Sequence, residues 1–186
     1  VSGAAGAVGS LAAQIAKSRG AKVIGIAGSE EKIKWLMEEC KIDGAINYKT
    51  ESVGEGLDRL CPEGVDSYFD NVGGETLEAT LLRMNSFGRV AFCGAISSYN
   101  ESDDAPLTVK NFQMILMRRL KVQGFICVDH LADITKFIGE ISALMQAGKL
   151  KYKEHVEAVG VESYPSVTRM LFSGKNNGKL MMKLAD

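Results

Sequence analysis

Residues 1–10 read VSGAAGAVGS. Glycines stand three apart at 3, 6 and 9, alanines lie between them at 4, 5 and 7, and a helix-patterned run, SLAAQIAKSRG, occupies 10–20. Glycine lets the backbone turn sharply and lets another group approach it closely. The free N–H groups that open the following helix face whatever sits on such a turn, and their dipole favours an anion. A tight strand–helix connection with no ligand has a similar composition. Context separates the two readings, because a phosphate-holding turn belongs to a strand–helix–strand unit.

The downstream residues supply that context. AKVIGIAG (21–28) reads as a buried strand, and SEEKIKWLMEECK (29–41) as a helix with Ile33, Leu36, Met37 and Cys40 at helical spacing. Strand-like GAINYK (44–49), VDSYFDNV (65–72), GRVAFCGAI (88–96) and KVQGFICVD (121–129) follow. The expected helices are SVGEGLDRLCP (52–62), GETLEATLLRMNSF (74–87), VKNFQMILMRRL (109–120) and LADITKFIGEISALMQAGK (131–149), with a polar loop, SSYNESDDAP, at 97–106. This alternation calls for an α/β fold, a doubly wound parallel sheet of Rossmann type with helices on both faces. In the 109–120 helix the methionines read as core filling, with Arg118 and Arg119 toward solvent.

Only Val1 and Ser2 precede the turn, whereas a strand typically runs about five residues. The first strand of a doubly wound sheet is central, so its loss would leave two edges facing each other across a gap. The chain is therefore expected to be part of a longer protein. The alternation stops near Leu150. YKEHVEAVG (152–160), ESYPSVTRMLFSG (162–174) and GKLMMKL (178–184) read as strand, helix, strand without the βαβ period. Residues 1–150 are expected to form the nucleotide-binding domain and 151–186 a separate C-terminal segment.

Composition narrows the function classes. Of 186 residues 46% are hydrophobic and 24% charged, and 22 basic against 23 acidic residues give a net charge of -1. Charges are interspersed, so neither nucleic acid nor a membrane surface is an expected partner. No apolar run reaches the length of a membrane span, and no signal-peptide pattern is visible. Cys40, Cys61, Cys93 and Cys127 are widely spaced, with no C-x-x-C pair and no clustered histidine. They read as buried, reduced thiols of a cytoplasmic protein, with no metal site.

The end of the second-strand position discriminates between cofactors. An NAD site usually places an acidic side chain there for the ribose 2′-OH, but here the strand ends in Ala27, Gly28 and Ser29. These small residues leave room for a 2′-phosphate. Ser29 suits the cap of the next helix, and Lys32 lies in its first turn, opposing the dipole unless an anion is near. The competing reading has Glu30 or Glu31 gripping the ribose, although both also suit that turn electrostatically. NADP(H) is the expected cofactor.

Seven stretches in order, SGAAGAVGS, GIAGSEEK, INYK, FDNVGGE, GRVAFCGAISSYN, QAGKLKYKE and FSGKNNGKL, resemble the zinc-independent medium-chain dehydrogenases/reductases. Within them the resemblance is to the prostaglandin/leukotriene reductase branch that includes bacterial curcumin reductase. It implies delivery of hydride from NADPH to the β-carbon of an α,β-unsaturated ketone or aldehyde, followed by protonation of the enolate. It implies that Ala5, Gly6, Ala7, Val8 and Gly9 hold the diphosphate, and that Lys32 and Tyr48 hold the 2′-phosphate beside Gly28 and Ser29. Asn71 would lie along the cofactor, Cys93, Gly94, Ala95 and Ile96 beneath the nicotinamide, Phe125, Ile126 and Cys127 at its flank, and Asn176 on the returning tail.

Tyr99 and His130 are the catalytic candidates. Several members carry tyrosine where His130 stands; histidine can donate a hydrogen bond or a proton, or it can be a solvent-facing loop residue. The resemblance also implies that 151–186 completes a β-rich substrate domain, largely absent from this chain, against which YPSVTRMLF would pack. It implies a homodimer through KVQGFICVD. A quinone oxidoreductase of the same superfamily, and a nucleotide-binding module without catalysis, are the alternative functions.

Overall fold

A computed structural model of the chain describes residues 1–100, 102 and 109–184. Its two sheets of the first 150 residues are parallel, ordered β2-β1 and β3-β4-β5. The strands are β1 (Ile24–Ala27), β2 (Gly44–Asn47), β3 (Val65–Asp70), β4 (Met84–Phe92) and β5 (Lys121–Gly124). Between them run α1 (Ala7–Ser18), α2 (Glu30–Glu38), α3 (Val53–Leu60), α4 (Gly74–Leu81) and the single turn α5 (Met114–Met117).

β1 shows why helices lie on both faces. All four of its residues are buried, and successive side chains point to opposite sides. Ile24 and Ile26 cluster with Ile46 and Leu57 of α3. The other face packs under α2, where a Cβ on Gly25 would meet Ile42 Cδ1 at 2.8 Å and Leu36 Cδ1 at 3.3 Å. The alanines of the opening turn, Ala4 and Ala5, share that second cluster with Ala13, Val23 and the fully buried Leu36. A third cluster joins α4 to β3 and β4 through Tyr68, Leu77, Leu81, Met84 and Val90.

The edges of β1 and β3 face each other. Ser2 sits between them, bridging Ile26 in parallel and donating its backbone N–H to Phe69 O at 3.1 Å; the space is thus one strand wide. Behind Val1 it continues as a cleft of about 940 Å³ lined by Ile24, Val65, Tyr68 and Phe69.

Several elements differ from the sequence expectation. The helix expected over 74–87 ends at Leu81, and β4 starts at Met84, because buried Met84 pairs with Val65. The register then shifts so that Ser67 pairs with Arg89, and Phe87 takes a positive φ of 66°. The strand expected over 88–96 accordingly ends at Phe92. The helix expected over 109–120 shrinks to one turn between Asn111 (φ 62°) and Arg119 (φ 50°), both left-handed. Met114, Ile115 and Leu120 pack inward, whereas Phe112, Leu116 and Met117 are exposed. Arg118 and Arg119 are exposed, the latter with its guanidinium 4.7 Å above the Phe87 ring.

The strand expected over 121–129 ends at Gly124, so Phe125, Ile126 and Cys127 follow it instead of extending it; a 3₁₀ turn, Cys127–Asp133, leads into α6 (Ile134–Gln146). Of the polar loop 97–106, residues 101 and 103–106 lie outside the described residues. Only Cys40 among the thiols is buried; Cys61 and Cys93 are half-buried and Cys127 is exposed. Burial pushes the Cys40 thiol up to about 11.

The C-terminal segment contains β6 (Glu154–Val159), α7 (Tyr164–Ser173) and β7 (Lys179–Lys183). β6 and β7 pair in parallel. This makes the segment a βαβ crossover, contrary to the expectation of no such unit. The short strands concealed the pairing, which depends on register and not on composition. On α7, Val167 is buried and Tyr164, Leu171 and Phe172 are exposed.

Candidate functional site

The sequence-predicted residues gather along the carboxyl ends of the parallel strands, where open α/β sheets bind ligands. The opening turn is held by Gly6 N–H donating to Gly3 O at 2.9 Å, and the first intrahelical bond of α1 runs from Ser10 N to Gly6 O at 3.0 Å. Ala7, Val8 and Gly9 therefore present N–H groups with no intrahelical acceptor. Gly9 admits the close approach of the turn: a Cβ there would collide with the Gly3 carbonyl oxygen and stand 2.9 Å from its carbon and 3.0 Å from Ala4 Cα. These are backbone atoms of the turn itself. Gly9→Ala is expected to lower dinucleotide affinity about 5- to 150-fold, since overpacking that shifts the backbone of the turn costs about 1–3 kcal/mol. Titration calorimetry checks it, and unchanged affinity contradicts it.

The second group of residues forms around the ends of β1 and β2. Ser29 caps α2, its Oγ accepting from Lys32 N at 3.3 Å. The Tyr48 ring lies on Gly28, where a Cβ would meet it at 2.7 Å. Lys32 Nζ donates to Gly174 O at 2.6 Å. Gly174 is the left-handed cap (φ 64°) of α7, so the tail returns to this corner of the sheet. Burial first, then the neighbouring Lys49, lowers the Lys32 pKa. An ammonium with a neutral carbonyl partner and a second cation nearby is suited to an anion.

The two carboxylates of the α2 first turn are both engaged elsewhere. Glu30 accepts from Asn47 Nδ2 at 2.5 Å. Glu31 Oε1 accepts from Lys153 Nζ at 3.1 Å and from Asn177 Nδ2 at 2.9 Å. The tail also donates Gly178 N–H to Ala5 O at 3.0 Å, which ties it to the opening turn. Asn176 lies in this strap, half-buried, with Nδ2 donating to Gly178 O at 3.1 Å.

The third group is organised by a fully buried carboxylate at the end of β3. Asp70 Oδ1 accepts from Ser2 Oγ (2.8 Å), Tyr68 OH (2.7 Å), Val72 N (3.0 Å) and Gly73 N (3.0 Å). Ser2 in turn accepts from Asn71 N through Oγ at 2.8 Å and from Asn71 Nδ2 through its carbonyl at 2.7 Å. Asn71 is thereby locked to the opening turn. Cys93 N and Gly94 N donate to Asp70 O at 2.8 and 3.1 Å, Ile96 N to Asn71 O, and Ser97 N to Val72 O. The loop carrying Cys93, Gly94, Ala95 and Ile96 is thus stitched to the β3–α4 turn. Tyr99 folds back over it, its OH accepting from Ala95 N at 3.2 Å, and is 60% exposed. Phe125 contacts Phe69 with ring centroids 6.0 Å apart. Ile126 and Cys127 are exposed, and His130 sits exposed at the kink of the 3₁₀ turn.

Ser2, Asp70, Lys153, Gly174 and Asn177 were not singled out from sequence. The contacts that join Ser2 to Asp70, Lys153 and Asn177 to Glu31, and Gly174 to Lys32 span 68 to 146 residues, and no local spacing announces such pairs. Among the described residues, no group of three or more His, Cys, Asp or Glu is placed to hold a metal ion, and no helix is long and apolar enough to cross a membrane.

A parallel sheet with helices on both faces, a glycine turn opening α1 and a cationic corner at the ends of β1 and β2 define a dinucleotide-binding α/β protein. Residues 7–146 match the zinc-binding dehydrogenase family, to which the chain belongs. It is 43% identical over 186 residues to prostaglandin reductase 1 of Bos taurus, covering 98% of this chain and 55% of that protein. It is 40% identical to 2-alkenal reductase (NADP(+)-dependent) of Nicotiana tabacum, covering 100% and 53%. Among solved structures, that of CurA in complex with NADPH from Vibrio vulnificus superposes with a TM-score of 0.91 at 35% identity, covering 100% of this chain and 56% of that one. The chain spans about half the length of the curated relatives it matches.

Proposed function

We propose that the chain is the NADPH-binding part of a reductase acting on the carbon–carbon double bond of α,β-unsaturated ketones and aldehydes. Residues 1–150 form the cofactor domain and 151–186 return to complete a substrate domain supplied by further sequence. The observation that carries the reading is Lys32: its half-buried ammonium rests on the neutral Gly174 carbonyl, beside Gly28, Ser29 and Tyr48. These residues fit a 2′-phosphate, and the N–H groups of Ala7, Val8 and Gly9 fit the diphosphate. The relatives named for NADP-dependent alkenal and prostaglandin reduction support the same assignment.

When bound, NADPH supplies the hydride that reduces the β-carbon. The chain's own contribution is to fix the nicotinamide end, through Asn71, the loop 93–96 and Phe125, Ile126 and Cys127. Hydroxyl or imidazole donors stabilise charge developing on the carbonyl oxygen, a role assigned to Tyr99 and His130. Pairing of two copies through the exposed edge strand β5 gives the homodimer, and reduced thiols suit a cytoplasmic setting.

Titration of the chain with NADPH and NADH tests the cofactor assignment: NADPH should bind at least about tenfold tighter, one charged contact being equivalent to 1.4 kcal/mol or more. Equal affinities overturn it. In the whole protein carrying this sequence, NADPH consumption with a 2-alkenal and not with a quinone supports enone reduction, and the reverse rejects it.

A further inference from the structure

We infer that Lys153 and Asn177 of the C-terminal segment determine cofactor choice by holding the Glu31 carboxylate away from the Lys32 ammonium. This rests on the NADPH reading above. Glu31 and Lys32 are neighbours in the first turn of α2, and each charge is felt by the other. An unrestrained carboxylate at this place has two effects. It competes with a phosphate for the ammonium, and it repels a 2′-phosphate while offering an acceptor to the 2′-OH of the unphosphorylated cofactor.

The tail works against both effects. Lys153 Nζ and Asn177 Nδ2 converge on one oxygen, Oε1, at 3.1 and 2.9 Å, and Gly174 gives Lys32 an uncharged partner in place of the carboxylate. Asn177 is itself immobilised. It is 7% exposed, its N–H donates to His155 Nδ1 at 3.1 Å, and the next residue is bonded to Ala5 O. A carboxylate can only accept, so the amide must present its nitrogen to Glu31. Its oxygen is then left buried with no hydrogen-bond partner among the described residues. An unsatisfied buried acceptor is rare in folded proteins, so the amide is oriented toward Glu31 at the expense of its own oxygen. The Glu31–Lys153 pair alone would contribute little stability, with Glu31 75% exposed; its effect is on orientation and local charge.

The test is a double-mutant cycle read in NADPH and NADH affinity at fixed salt. Lys153→Met, at a partly exposed position, is expected to weaken NADPH roughly 5- to 20-fold and NADH by less than about twofold, with Asn177→Ala adding to the effect. In a Glu31→Gln background the Lys153→Met change should cost NADPH less than about twofold. A full loss in that background shows Lys153 acting on the phosphate directly and overturns the inference while leaving the NADPH reading intact. Parallel losses for both cofactors overturn it as well, by exposing a purely structural role. A wild type that does not distinguish the cofactors overturns both.

Discussion

Lys32→Ala is expected to weaken NADPH binding about 10- to 150-fold, the loss of a charged contact of about 1.5–3 kcal/mol, and to change NADH binding by less than about twofold. Three features of the corner give this sign. The ammonium stands in the first turn of α2, where the helix dipole disfavours a cation. Burial and then Lys49 lower its pKa, against the opposing effect of Glu31, so a further anion at this place would favour the ammonium. Its hydrogen-bond partner among the described residues is the neutral Gly174 carbonyl, at 2.6 Å. A phosphate answers all three, and a ribose hydroxyl answers none. Because the substitution also removes the link to the tail, thermal unfolding without cofactor is the control. Equal weakening of NADPH and NADH, with a lowered melting temperature, would show that the tail had come loose and that the lysine does not select the phosphate.

The unit from the opening turn through β2 was legible because local and tertiary signals agree there. Apolar residues in α2 repeat at helical spacing, Ser29 caps the helix as its residue type suggests, and β1 is short, apolar and buried on both faces. Agreement failed at 74–87. The apolar spacing through Leu81, Leu82 and Met84 continues a helical pattern, but Met84 gains more by pairing with Val65 and burying itself against Leu77 and Leu81. It failed again at 109–120, where two residues with positive φ bound a single helical turn. Asn111 is a residue type that tolerates this conformation; Arg119 is not, and its conformation follows from the chain reversal into β5. The candidate cofactor residues came from ordered motifs, which name positions but not the contacts that hold them. Those contacts, Ser2 to Asp70 and Glu31 to Lys153 and Asn177, join segments far apart in sequence, and only the fold brings them together.

The largest loss of stability is expected from Asp70→Ala, about 3–5 kcal/mol, because several buried donors lose their acceptor at once and each such orphan costs about 1–3 kcal/mol. Four donors converge on Oδ1: Ser2 Oγ, Tyr68 OH and the N–H groups of Val72 and Gly73. Tyr68 is 3% exposed, and burial with the adjacent Asp70 holds its phenol well above the usual range and keeps it a donor. A loss of this size is a large share of the roughly 5–15 kcal/mol that stabilises a folded domain. Asp70→Asn separates charge from geometry. It keeps one acceptor oxygen but places an amide nitrogen where Oδ2 is buried without a partner among the described residues, so the expected loss is smaller, about 1–3 kcal/mol. Urea unfolding of the two variants measures both. Since Asn71 is fixed through Ser2, itself held by Asp70, the Asn variant should also bind NADPH more weakly while still folded. An Asp70→Ala protein within about 1 kcal/mol of wild type would mean that the four donors find other acceptors, and that this carboxylate does not hold the opening turn against the end of β3.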